Sequence, residues 1–229
     1  MPERVVIGDA DLWLGDCREV LPLLPKVDAV ITDPPYGVDE THASHISTVT
    51  LRNGTPAGQA LGFDGITAEE LQTLCAQWTE KAERWVVFSC EWKHAHALPG
   101  LVRLGIWRKP DGAPQFTGDR PGMGWEAIAI CHRVGRKRWN GGGRNSVFTH
   151  GVCRDAMYPT QKPVALVSEF VRLFTNPGDT ILDPFCGSGT TLYAAKELRR
   201  KAIGCDVSDE ACALAEKRLA QDLFTDGRG

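Results

Sequence analysis

Apolar positions along this chain fall into short continuous runs that alternate with amphipathic stretches, the pattern of buried parallel strands covered by helices. Runs at 12–14, 28–32, 84–89, 180–182 and 202–205 read as strands, and 104–109 and 126–132 read as two late strands joined by a Pro- and Gly-rich loop. Helical spacing marks 68–82, where Leu71, Leu74, Cys75 and Trp78 share a face, and also 164–174, 190–199 and 209–221. Residues 18–24 predict a short helix and 93–102 a weak one. Ser208 stands where the N-cap of the last helix belongs. From Val38 to Gly65 the periodicity is lost in a stretch rich in Thr, Ser, Gly and His. A loop of that length in a compact domain is usually functional, and it is expected to act as a lid. The fold class that follows is α/β, a doubly wound, mostly parallel sheet with helices on both faces.

Two of the strands end in unusual sequences. Strand 28–32 runs into "DPPYG", Asp33 to Gly37, where an acid, two prolines and a tyrosine are more than a turn requires. Strand 180–182 runs into "DPFCGSGTT", Asp183 to Thr191, a Gly-x-Gly turn that opens a helix and lets backbone N–H groups approach a ligand closely. The second motif is neither a P-loop nor a complete dinucleotide fingerprint, because position 192 is Leu where the third glycine would fall. A plain packing turn explains Gly-x-Gly equally well. Asp206, closing the next strand in "AIGCD", shifts the balance, since an acid at that position accepts both hydroxyls of a ribose. Its alternative role is to cap the turn before Ser208. Asp16 ends another strand in "LWLGD" and reaches an adenine amino group if the two strands are neighbours, or else simply starts the following helix.

Composition restricts the remaining possibilities. A chain of 229 residues, 42% hydrophobic, holds one substantial core, so a single domain is expected. No apolar run reaches the roughly 18 residues of a membrane span, and the N-terminus lacks a signal-peptide pattern, which together predict a cytoplasmic protein. The eight cysteines contain no C-x-x-C pair and the six histidines no metal-ligand spacing, so no metal is expected. The net charge of −3 conceals an asymmetry: Ala127 to Arg154 contains no Asp or Glu but carries Arg133, Arg136, Lys137, Arg138, Arg144 and Arg154, with Trp139 among them. This segment reads as a DNA-backbone track with Trp139 stacking on an exposed base, or as a solvated hairpin with Trp139 in the core.

Taken together, "DPPYG" at 33–37, "PTQKP" at 159–163, "LDPFCGSGTT" at 182–191 and "GCD" at 204–206 resemble the amino-group DNA methyltransferases that use S-adenosylmethionine. The catalytic motif precedes the cofactor motif, the order of the beta class, and the resemblance implies a circularly permuted Rossmann-like methyltransferase fold across nearly the whole chain. It implies that Asp33, Pro34, Pro35 and Tyr36 form the catalytic site. It further implies that Asp16, Thr160, Lys162, Asp183, Phe185, Gly187, Gly189, Thr190 and Asp206 line the cofactor pocket. DNA is the implied partner, homodimers are common in the family, and a small recognition insertion is expected around 107–158.

The chemistry of "DPPY" stands on its own. An exocyclic amino group is a poor nucleophile because its lone pair is delocalised into the ring. Acceptors from the Asp33 carboxylate and the Pro34 carbonyl, held by two stiff prolines, favour a pyramidal nitrogen, and Tyr36 offers a face for an extruded base. Amino-cytosine methylation fits the same chemistry, although cytosine members of the family more often begin the motif with Ser, and relatives that methylate a protein glutamine begin it with Asn. Methylation of a cytosine ring carbon needs a nucleophilic cysteine, and Cys186 lies inside the cofactor loop. A non-catalytic DNA-binding protein with a vestigial pocket is the alternative of another class, and the intact acids argue against it.

Overall fold

The computed structural model describes residues 2–35, 65–112, 118–119, 121–154, 156 and 161–220. Tyr36, Thr160 and the stretch 38–64 expected to form a lid lie outside the described residues.

Five neighbouring strands form the parallel heart of a mixed nine-stranded sheet: β2 (Ala10–Leu14), β9 (Lys201–Asp206), β8 (Thr180–Asp183), β3 (Val27–Thr32) and β4 (Ala82–Cys90). β1 (Glu3–Ile7) adds antiparallel to β2 at one side. On the other side β6 (Trp125–His132) pairs antiparallel with β4, β5 (Leu101–Arg108) antiparallel with β6, and β7 (Val147–Thr149) parallel with β5. The central strands are continuously apolar because both faces are covered. Ala29 and Ile31 of β3, Trp85 and Val87 of β4 and Ile181 of β8 pack on α3 (Val164–Phe174), α4 (Thr190–Glu197) and α5 (Asp209–Ala220). Val30, Val86, Phe88, Leu182 and Ile203 face α1 (Cys17–Val20) and α2 (Ala68–Lys81) on the opposite side.

Local sequence accounts for the element ends. Thr67 and Glu70 close a reciprocal capping box at the start of α2, with the Glu70 N–H donating to Thr67 Oγ1 over 3.2 Å and the Thr67 N–H to Glu70 Oε2 over 2.9 Å. Ser208 caps α5 by accepting the Ala211 N–H at 3.2 Å, as the sequence predicts. Gly189, at φ +77°, turns the chain into α4, and a Cβ there would lie 2.9 Å from that of Ala215, so glycine also permits the close approach of α4 to α5.

Three expectations change. Residues 18–24 divide into α1 and a 3-10 turn at Leu21–Leu23, because Pro22 has no N–H to continue a helix. The helix expected at 93–102 is a 3-10 segment, Trp92–Ala97, followed directly by β5, whose first residues the helical reading had absorbed. The edge strands β1 and β7 have too little apolar alternation to announce themselves, with Val5 and Val6 exposed and β7 only three residues long.

Trp78 of α2 is fully buried, with ring centroids 5.3 Å from Phe88 and 6.1 Å from Phe185, which ties α2 to the loop after β8. Trp78→Ala removes the largest apolar group of that face, and urea unfolding is expected to show a loss of about 3–5 kcal/mol.

Candidate active site

Parallel pairing of β3 with β8, through Ala29–Ile181 and Val30–Leu182, carries Asp33 and Asp183 to the same carboxyl edge of the sheet. β9 lies beyond β8 and ends there in Asp206. Beyond β9, β2 pairs Leu14 with Asp206, and the Gly15 N–H donates to the Asp206 carbonyl at 2.8 Å. The two strands expected to bring Asp16 beside Asp206 are therefore neighbours. Ligands of open α/β sheets bind in the crevice at this edge.

Each acid has a different setting. Asp183 is buried, and its Oδ1 accepts the Thr32 hydroxyl at 2.6 Å and the Phe185 N–H at 3.1 Å, stapling the ends of β3 and β8 together. Desolvation drives its pKa from 3.8 up to about 6 despite those donors. The Asp206 oxygens accept the Gly187 N–H at 2.8 Å and the Ser208 N–H at 3.0 Å, and burial again raises its pKa. It both caps the turn and presents carboxylate lone pairs at the edge. Asp16 accepts the Arg18 N–H at 2.8 Å and pairs with the Arg18 guanidinium at 2.5 Å, so in this structure it is the cap of α1. The Arg18 hydrogen bonds are the main cause of its lowered pKa.

Asp33 follows β3 directly, and the structure brings Lys162 to it. Lys162 lies in the segment leading into α3, and its Nζ donates to Asp33 Oδ2 at 2.6 Å. Asp33 Oδ1 is buried and has no hydrogen-bond partner of acceptable geometry among the described residues. Burial raises the Asp33 pKa; Lys162 opposes that rise, Glu126 adds to it, and the Ser89 hydroxyl also helps to hold the carboxyl ionised. The Pro35 carbonyl accepts the Ile66 N–H at 2.7 Å, whereas the buried Pro34 carbonyl accepts no hydrogen bond from the described residues. Two buried acceptors, Asp33 Oδ1 and the Pro34 carbonyl, thus follow β3 at the carboxyl edge, neither with a hydrogen-bond partner among the described residues.

Sequence reasoning missed the residues behind Lys162. Glu126, at the start of β6, lies 3.4 Å from Lys162 Nζ and pairs with Lys109, which follows β5. Trp107, paired with Glu126 across the sheet, carries Lys109 Nζ at 4.6 Å and Lys162 Nζ at 6.0 Å from its ring centroid. The signal was an acid opening a strand opposite a strand that ends in Trp-Arg-Lys, which becomes meaningful only once the antiparallel register is known.

The basic segment is elsewhere. Because β6 runs antiparallel to β4, it starts at the carboxyl edge, where Ala127 pairs with Cys90, and finishes at the opposite edge, where His132 pairs with Trp85. Arg133, Arg136, Lys137 and Arg138 follow from that far edge. Arg133 lies 3.5 Å from Glu83, and Arg138 gives its carbonyl to the Trp85 indole N–H at 2.6 Å. Trp139 packs against Phe174 with ring centroids 5.9 Å apart, lies over Gly141 and donates its indole N–H to the Gly142 carbonyl at 3.0 Å. Trp139 is thus half-buried against the core, and the segment leaves β6 at the edge opposite the acids. Asn140 closes the C-terminus of α3, donating its side-chain N–H to the Arg172 and Thr175 carbonyls, both at 2.9 Å. Arg144 pairs with Glu169 of α3.

Phe185 lies against Trp78, and Thr190, at the start of α4, accepts the Arg218 guanidinium at 2.8 Å. Gly187 has φ +48°. The donor chemistry of the edge suits S-adenosylmethionine: a left-handed glycine turn that no Cβ obstructs, and a carboxylate at the end of β9 for hydroxyls. Among the described residues no cluster of His, Cys, Asp or Glu suits a metal ion, and no helix is long and apolar enough to cross a membrane.

Asp183 gives a pH-dependent stability of known sign. Its folded pKa of about 6 exceeds the ordinary 3.8, so the native state retains a proton that the unfolded chain has released, and stability falls as pH rises between those values. The stability of the parent relative to Asp183→Asn is expected to fall from pH 4 to pH 6 and to level off above, as read by denaturant unfolding across that range.

A family model described as DNA methylase matches residues 117–217. Type II methyltransferase M.HinfI of Haemophilus influenzae is 25% identical over 90% of this chain and 67% of its own length. Type II methyltransferase M.XycI of Xanthomonas campestris pv. cyanopsidis is 26% identical over 95% of this chain and 90% of its own. The crystal structure of the M1.HpyAVI–SAM complex superposes with a TM-score of 0.67 at 24% identity, over 92% of this chain and 99% of the other. The chain has the fold of the Rossmann-like methyltransferases, and in sequence it is similar along nearly its whole length to two type II DNA methyltransferases.

Proposed function

We propose that this protein transfers a methyl group from S-adenosylmethionine to the exocyclic amino group of adenine in DNA, acting on a base extruded from the duplex. The observation that carries the reading is the pair of unspent acceptors at the carboxyl edge, Asp33 Oδ1 and the Pro34 carbonyl. The two N–H bonds of an amino group match two acceptors, and donating to both turns its lone pair away from them, towards the crevice between β3 and β8. Similarity to DNA methylases supports DNA as the substrate. Asp in place of Ser at the head of the motif favours adenine over cytosine.

When bound, S-adenosylmethionine supplies an electrophilic methyl on a sulfonium. On taking that methyl the substrate nitrogen would become cationic and would release one proton, which Asp33, as the acceptor of its N–H, would receive and pass to water. Asp33 holds that nitrogen in line and stabilises the positive charge that develops on it. Asp206 is assigned to the ribose hydroxyls, with Gly187 and Gly189 shaping the backbone beside the methionine portion. Duplex recognition is assigned to the described residues that follow β5 and β7 at the carboxyl edge, Lys109 to Gly112 and His150 to Arg154. Arg133 leaves β6 at the opposite edge, and the segment returns through Arg144, beside Glu169 of α3, to Ser146, beside Ile106 of β5.

Cofactor-dependent transfer of labelled methyl to DNA tests the proposal. Asp33→Ala is expected to abolish transfer while equilibrium binding of S-adenosylmethionine survives; transfer near the parent rate would overturn the assignment. Asp206→Ala is expected to weaken cofactor binding by about 1.5–3 kcal/mol, the value of charge-assisted bonds to two hydroxyls, as measured by calorimetry.

A further inference from the structure

A buried carboxylate that must accept from an amino group faces a conflict. Desolvation favours its protonated form, which loses one acceptor, while a salt bridge on both oxygens would keep it ionised but occupied. The arrangement around Asp33 resolves this by dividing the two oxygens. Lys162, whose side chain is only 13% exposed, reaches Oδ2 at 2.6 Å, and Oδ1 has no hydrogen-bond partner of acceptable geometry among the described residues. Lys162 is itself held from behind by Glu126 at 3.4 Å, and Glu126 by Lys109, so charges alternate from β5 through β6 to the end of β3. Trp107 closes the side of this chain of charges.

We propose that Lys162, braced by Glu126, is a positioning residue for Asp33: it fixes the carboxylate through Oδ2 and so presents Oδ1 as the acceptor for the substrate amino group. This assignment rests on the function proposed above. It gives Lys162 a duty towards the base rather than towards the cofactor pocket, where the resemblance placed it. The charged groups facing Asp33 are Lys162 from the segment before α3, Glu126 from β6 and Asp183 from β8, with Lys109 behind Glu126. Among the described residues Lys162 is the cation that touches the carboxyl, and its own pKa is drawn both ways: burial pushes it down, but Asp33 and Glu126 outweigh burial and hold it above the usual lysine range. It stays charged throughout the range in which Asp33 titrates.

The test compares Lys162→Gln and Lys162→Arg with the parent. Lys162→Gln is expected to lower kcat for DNA methylation roughly tenfold or more at neutral pH and to move the acid limb of the pH–rate profile up by roughly one unit or more. Its dissociation constant for S-adenosylmethionine should stay within about twofold of the parent. Lys162→Arg, which keeps the cation, should restore most of the rate and return the limb towards its original position. Carbon-13 titration of the Asp33 carboxyl reads the same contact without turnover, and there Lys162→Gln should raise the pKa. An unmoved Asp33 titration, or a Lys162→Gln variant that loses cofactor binding with its acid limb unchanged, would overturn the proposal and return Lys162 to the cofactor pocket. Failure of the parent itself to label DNA would instead overturn the proposed function, and the carboxyl titration would still decide the contact.

Discussion

The site depends on one pairing, that of β3 with β8, parallel and in a register that ends both strands in an acid at the same edge. Parallel strands need helices on both faces, and the two buried clusters on either side of the sheet supply that cover. The hydroxyl of Thr32 on Asp183 fixes the two strand ends at the point where the chain turns from scaffold to site. Asp33 is the next residue, so the packing that holds β3 also aims the proposed catalytic carboxylate.

Burial at this edge has a common electrostatic effect on the three acids. Asp33, Asp183 and Asp206 all have raised pKa values with desolvation as the largest cause, and each is kept usable by a different set of donors. Asp183 is held by a hydroxyl and a backbone N–H, Asp206 by two backbone N–H groups, and Asp33 by a lysine. The first two sets shape loops. Asp33 Oδ1 is buried without a hydrogen-bond partner of acceptable geometry among the described residues, which is the arrangement expected of a group that works on a substrate instead of serving the fold.

Much of this was legible in the sequence because the relevant signals are local. The apolar run Ala29-Val30-Ile31 before "DPPYG", the Gly-x-Gly turn after Asp183 and the acid closing β9 each announce their element, and α3 falls on the residues that its periodicity marks. The illegible parts depend on strand direction. An acid-free basic run reads as a DNA track or as a solvated hairpin, and only the antiparallel course of β6 shows that Arg133 to Arg138 follow from the edge opposite the acids. Glu126 and Lys109 carry no signal of their own in the sequence, and only the pairing of β5 with β6 sets them behind Lys162. Asp16 could cap a helix or meet a ligand, and in this structure its side chain accepts the Arg18 N–H at the start of α1 and pairs with the Arg18 guanidinium.

The most direct measurement is nucleoside mass spectrometry of duplex DNA after incubation with the protein and S-adenosylmethionine bearing a deuterated methyl group. The account predicts deuterated N6-methyladenine in digests from the parent protein. Deuterated N4-methylcytosine in its place would contradict the choice of base, and DNA carrying no deuterated methyl would contradict the account as a whole.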